Sequence, residues 1–184
     1  MKKENEILLQ HLREQIALEE HVCKTIRDQV DIINEISFKD AREVLQATSQ
    51  LLELHFTPLN RVLDVYEESK KLSTTINGKY KTNPRDVPNQ TMQISRILRD
   101  DYAALNHVTI STTQLHTLAL SLGARDVAEL ALTHLENLAP LVVKIGELIP
   151  SVTTRELVKE FPSVDQGVAQ TALLNTKRAW KKCT

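Results

Sequence analysis

The sequence contains few of the residues that build β-sheets. Its 184 residues include only four glycines and seven aromatic side chains, namely three Phe, three Tyr and one Trp. Sheets depend on glycine-rich turns and on aromatic side chains, whereas this chain is rich in Leu, Ala, Glu, Lys, Gln and Arg, which favour helices. We therefore expect an all-α protein, and the length is ordinary for a single domain.

A strong net charge and long apolar runs are also missing. The formal net charge is −1 at pH 7, so there is no basic field of the kind that binds nucleic acid. No apolar run approaches the ~20 residues of a membrane span, and the N-terminus lacks the apolar region of a signal peptide. The two cysteines, Cys23 and Cys183, lack CxxC spacing, which favours unpaired thiols and a cytoplasmic location.

Apolar residues recur at steps of three and four along most of the chain, which predicts long helices. The predicted helices are A (3–36), B (39–72), C (89–122) and D (125–149). Ser37 is expected to cap helix B after a tight turn, and Pro150 is expected to end helix D. A capping signal at Thr153 predicts a short helix to about residue 160, and a last helix should reach about residue 182. The expected organisation is a four-helix bundle over residues 1–150, with two short C-terminal helices over residues 151–184 packed on it.

Three polar side chains occupy positions on the apolar stripes. Counted from the A–B turn near Ser37, Glu19 and His55 each lie about eighteen residues below it. His134 lies at nearly the same height only if the chain returns, between helices B and C, to the end of the bundle where the A–B turn lies. Without this crossover, His134 is displaced along the bundle from Glu19 and His55 by roughly 10 Å. Because burying unpaired polar groups is costly, we favour the crossover. The stretch 73–89 is rich in turn-forming residues and is long enough to travel the length of the bundle.

Two segments of the second predicted hairpin carry a family resemblance. Residues 115–123 and 128–136 read LHTLALSLG and AELALTHLE. Together with the crossover, this pattern resembles the ferritin-like superfamily, in particular its small bacterial stress-associated proteins, over roughly residues 3–150. The resemblance implies a ferritin-like four-helix bundle with a metal site in its core.

The family's metal ligands are one Glu from each of two helices and a Glu-x-x-His motif from each of the other two. By resemblance, Glu19 corresponds to the first Glu, and His55 and His134 to the two histidines. The glutamates of the two motifs are replaced by Leu52 and Ala131, which cannot bind metal. A di-metal centre that needs bridging carboxylates is therefore expected to be degenerate.

Two functional hypotheses follow from this layer. In the first, Glu19, His55, His134 and the neighbouring His107 bind a single Fe, Mn or Zn ion in a stress-response protein. In the second, the same side chains form a buried hydrogen-bonded network without metal, and the chain is a non-catalytic helical binding or scaffold module. Under either hypothesis we expect a homodimer.

We also predict the contacts of two further side chains. Asp101 lies on the stripe of helix C, away from the layer, and is expected to pair with a basic residue, such as one from the crossover. Trp180 lies among Lys and Arg residues at the C-terminus and is expected to pack on the bundle while the cations complement the helix dipole.

Overall fold

The computed structural model describes residues 2–68 and 93–182, and this part of the chain is helical with no strand. The expectation of an all-α protein is thereby confirmed. The predicted crossover, residues 73–89, and Cys183 lie outside the described residues. The helices are α1 (Lys2–Val30), α2 (Lys39–Glu68), α3 (Gln93–Leu122), α4 (Arg125–Glu160) and α5 (Val168–Lys181), with a short 3-10 helix at Ile36–Phe38.

The four long helices pack in two pairs, α1 with α2 and α3 with α4, and the pairs contact each other through α1–α3 and α2–α4. Gln15 and Gln29 of α1 face Thr112 and Asp101 of α3, so α1 and α3 are antiparallel. Since α1 is also antiparallel to α2, helices α2 and α3 run in the same direction. The end of α2 and the start of α3 therefore lie at opposite ends of the molecule, which is the arrangement that the predicted crossover requires.

The apolar core consists of two clusters with a polar layer between them. On α1, one cluster contains Leu8, Leu12 and Ile16, and the other begins at Leu18 and includes Cys23. The same division recurs along α2, where Leu52 and Leu59 belong to different clusters. Among the described residues, no helix combines the length and apolarity needed to cross a membrane.

The connection between α1 and α2 differs from the predicted tight turn. Helix α1 ends at Val30 rather than at residue 36, and irregular backbone carries Ile33 into the core before the 3-10 helix buries Phe38. The prediction was wrong because apolar residues on irregular backbone continued the helical spacing. The Ser37 hydroxyl donates to Glu35 Oε2 instead of capping α2.

Helix α4 continues through Pro150, so the prediction that this proline ends the helix was wrong. The last turns of α4 are held by tertiary contacts, since Val152, Thr154 and Glu156 are all buried. Burial of this segment offsets the ~3 kcal/mol that an interior proline costs a helix. The predicted helix start at Thr153 is also wrong, and the expected domain boundary at residue 150 falls inside α4.

Glu156, in the part of α4 that extends past Pro150, accepts hydrogen bonds from the start of α3. Its Oε1 accepts the backbone N–H of Ile94 at 2.6 Å, and its Oε2 accepts that of Ser95 at 3.1 Å. The first N–H groups of a helix have no partner within the helix, so a carboxylate here satisfies two of them. The neighbouring Arg155 donates to Asp40 and to the Ser37 carbonyl, which ties α4 to the α1–α2 connection.

Helix α5 lies on the outside of the molecule. The Lys177 ammonium is 2.5 Å from Glu147 of α4, and the rings of Trp180 and Tyr102 meet edge to face with centroids 6.5 Å apart. Trp180 nevertheless remains 62% exposed. The expected contact with the long helices is present, but the indole is not buried by it.

Asp101 is buried, and among the described residues its hydrogen-bond partner is the neutral side chain of Gln29. The side-chain amide of Gln29 lies 2.8 and 2.9 Å from the two carboxylate oxygens, oriented so that its nitrogen donates to both. The prediction of a basic partner, such as one from the crossover, stays a prediction, because the crossover lies outside the described residues. Burial, with a smaller contribution from the charge of Asp100, raises the pKa of Asp101 to about 7 despite the opposing effect of Gln29.

Replacing Asp101 with Asn should remove a pH dependence of stability. The folded-state pKa of about 7 lies above the ordinary value of 3.8, so the folded protein keeps a proton that the unfolded chain releases. Stability therefore falls as the pH rises from about 4 to about 7. In urea unfolding, the free energy of unfolding of Asp101→Asn should match that of the wild type near pH 4 and exceed it by about 4 kcal/mol at pH 8. The exposed control Asp64→Asn should keep the wild-type profile, and a parallel profile for Asp101→Asn would contradict this assignment.

Glu156 should stabilise the fold through its two accepted hydrogen bonds. Glu156→Ala leaves the N–H groups of Ile94 and Ser95 without this acceptor and should cost about 2 kcal/mol in the free energy of unfolding. Glu156→Gln retains one accepting oxygen and should cost less. The exposed control on the same helix, Glu136→Ala, should change stability by less than about 0.5 kcal/mol. Equal stability of Glu156→Ala and Glu136→Ala in urea titrations would show that the capping contact contributes nothing.

Candidate metal centre

Three helices bring Glu19, His55 and His134 together in the polar layer. Each side chain offers one potential ligand atom, and these atoms lie within 4.8 Å of one another. All three residues are buried, and each is flanked along its helix by apolar residues that face the same core. The helical stripes that bury the flanking residues therefore carry these polar side chains into the interior as well.

The two imidazoles approach different oxygens of the carboxylate. His55 Nδ1 is 3.1 Å from Glu19 Oε2, within hydrogen-bonding distance, whereas His134 Nδ1 is 3.6 Å from Oε1. The two rings stack on each other, with centroids 3.6 Å apart and planes inclined by 12°. The cluster is therefore a carboxylate beside a pair of nearly parallel imidazoles.

Gln15 and Thr112 complete the layer, and neither was predicted from the sequence. Gln15 Nε2 donates to Glu19 Oε1 at 2.7 Å and to Thr112 Oγ1 at 2.8 Å. Through Thr112, α3 joins the layer without offering a metal ligand. The missed signal was the spacing, because Gln15 precedes Glu19 by four residues and therefore lies next to it on the same helical face.

His107 is not part of the cluster. The structure places it on the exposed side of α3, one residue before the buried Val108. A one-residue step turns a side chain by about 100° around a helix, which carries His107 out of the core. The structure thus brings together three of the four predicted ligand residues.

The environment of Glu19 favours its ionised form. Burial alone would raise the pKa of this carboxyl, but contacts with His134, His55 and Gln15 outweigh burial and lower the pKa to about 2. Glu19 therefore carries a negative charge in the core at neutral pH. Such a charge is stable in the interior only when donors or cations surround it.

The donor set fits a divalent transition metal. One carboxylate and two imidazoles suit Zn²⁺, Fe²⁺ and Mn²⁺, and His55 Nε2 and His134 Nδ1 are buried with no hydrogen-bond partner among the described residues. An imidazole binds a metal in the plane of its ring. Since the two rings are nearly parallel and stacked, at least one must rotate before both can bind the same ion.

Comparison with known proteins adds no family to these observations. No protein-family model, curated protein or solved structure matches the chain. Interpretation of the site therefore depends on its own residues and their geometry.

Glu19 should make the protein sensitive to acid. Its folded-state pKa of about 2 lies below the ordinary 4.5, so its contribution is complete above pH ~4.5 and is lost as the pH falls toward 2. We expect wild type to lose on the order of 3 kcal/mol more than Glu19→Gln over this interval in urea unfolding. The exposed control Glu20→Gln should follow wild type. If Glu19→Gln retained the full acid sensitivity, the carboxylate would not be the group that titrates.

Proposed function

We propose that this protein is a ferritin-like four-helix bundle that binds one divalent transition-metal ion through Glu19, His55 and His134. The observation that carries this proposal is the convergence of three potential ligand atoms from three helices to within 4.8 Å. Two of the ring nitrogens there are buried without a partner among the described residues. A bound cation would satisfy such a nitrogen and balance the Glu19 carboxylate.

The course of the helices supports the ferritin-like part of the proposal. Helices α1 and α2 form one antiparallel pair, α3 and α4 form another, and α2 and α3 run in the same direction. The polar layer lies between two apolar clusters, as expected for a metal site in a bundle core. The stress-response role, the homodimer and the cytoplasmic location remain predictions from the sequence.

A single ion suits the site better than a pair. The positions three residues before His55 and His134 hold Leu52 and Ala131, both buried and apolar. Neither can supply the bridging carboxylate that a di-iron centre uses to balance its charge. In the proposed site Glu19 supplies the negative charge, and His55 and His134 supply neutral nitrogen donors.

A specific observation favours a second candidate, a non-catalytic helical scaffold in which the layer is only a buried network. Both oxygens of Glu19 already accept hydrogen bonds, from Gln15 and from His55. The stacked rings of His55 and His134 also form a compact arrangement as they stand. Such a network would fix the register of the helices without any ion.

Metal analysis of protein purified without a histidine tag distinguishes the two candidates. We expect one equivalent of divalent metal per chain and a lower melting temperature after chelation, because an ion bound only by the folded state stabilises it. Glu19→Ala and His134→Gln should weaken metal binding at least about tenfold. The control His107→Ala should bind like wild type. Absence of metal at any stoichiometry, with stability unchanged by chelator, would favour the scaffold.

A further inference from the structure

The hydrogen bonds around Thr112 have a defined direction. Its hydroxyl donates to the carbonyl of Val108, one turn earlier in α3, at 2.8 Å. A threonine hydroxyl has a single hydrogen, so towards Gln15 it can act only as an acceptor. The group that faces Thr112 from Gln15 must therefore be the amide nitrogen.

This direction fixes the orientation of the whole Gln15 amide. One N–H is donated to Thr112 and the other to Glu19 Oε1, and an ionised carboxylate likewise only accepts. The carbonyl oxygen Oε1 therefore makes no hydrogen bond with either partner. Gln15 is fully buried, and its Oε1 has no hydrogen-bond partner among the described residues.

A buried acceptor without a donor is unfavourable, and Gln15 cannot turn over without losing two hydrogen bonds. The amide nitrogen is only 2.7 Å from a carboxylate oxygen of the candidate metal site, so the carbonyl oxygen lies close beside that site. Three protein ligands leave a transition metal with a coordination position for water. Water on a metal ion is a strong hydrogen-bond donor because the ion makes it more acidic.

We propose that Gln15 is a positioning residue whose carbonyl oxygen accepts a hydrogen bond from an exchangeable water on the metal ion, leaving the site open to a small external ligand. This inference rests on the proposed function, because it requires the ion at Glu19, His55 and His134. A site with an exchangeable water is open to other ligands, unlike a closed structural site in which the protein supplies every ligand. All four long helices then take part, with α3 acting through Thr112.

Cobalt substitution tests this inference without an activity assay. Co²⁺ added to the full-length, tag-free protein gives visible absorption bands that report its coordination, and azide serves as the external ligand. In wild type, azide should displace the water and change these bands with saturation. The Gln15 carbonyl favours water, which donates a hydrogen bond to it, and repels azide, which is an anion. Because Gln15→Met removes this carbonyl, azide should bind the variant more tightly, on the order of tenfold.

Matched variants separate positioning from packing. Gln10→Met, an exposed change on the same helix, should bind azide like wild type. Thr112→Val removes the acceptor that locks the amide and should shift azide affinity in the direction of Gln15→Met, whereas Thr112→Ser should restore the wild-type value. A variant that packs poorly but leaves the ion's coordination intact would not produce this pattern.

The possible failures are distinguishable. If Co²⁺ binds but azide leaves the wild-type spectrum unchanged, the site is closed and the role of Gln15 is refuted while the metal site stands. Equal azide affinity in wild type and Gln15→Met, or weaker binding in Gln15→Met, also refutes that role. If wild type binds no Co²⁺, the proposed function and this inference both fail.

Discussion

The rest of the structure depends on one constraint, the burial of the Glu19 carboxylate between the two apolar clusters of the core. An isolated charge there would cost several kcal/mol, so compensating groups have to surround it. His55 and His134 supply ring nitrogens from α2 and α4, and Gln15 supplies an amide from α1 itself. Because the groups that satisfy Glu19 come from three helices, sliding one helix along another would separate them. The layer therefore sets the relative heights of the helices.

A second set of polar contacts lies at one end of the helices, beside the α1–α2 connection. The last turns of α4 extend past Pro150 and bring Arg155 to Asp40 and Glu156 to the first N–H groups of α3. The start of α3 and the α1–α2 connection are thus held by the same short segment. Between this end and the central layer, Asp101 is buried beside the Gln29 amide. Buried acids at three levels therefore limit how the helices can slide.

Much of the fold and part of the site could be read from the sequence. Steps of three and four placed Glu19, His55 and His134 on inward faces, and counting from the first turn placed them at one height. The same pattern misled at Ile33 and Phe38, which are buried from non-helical backbone, and at Pro150, where tertiary packing outweighs the local cost of a proline. Gln15 was not predicted because the inward stripe was read as one residue per step of three or four, and residues beside that stripe were left out. The stacking of the two imidazoles depends on side-chain rotamers, which no helical spacing determines.

The central claim is that this layer holds one metal ion, and anomalous X-ray diffraction from crystals of the tag-free protein grown with Zn²⁺ tests it most directly. The account predicts a single anomalous peak in the core, with a Glu19 oxygen and one nitrogen each from His55 and His134 at about 2.0–2.2 Å. It also predicts that at least one imidazole has rotated out of the stacked arrangement. A core without an anomalous peak, with the two rings still stacked beside Glu19, would contradict the claim and leave a buried hydrogen-bonded network.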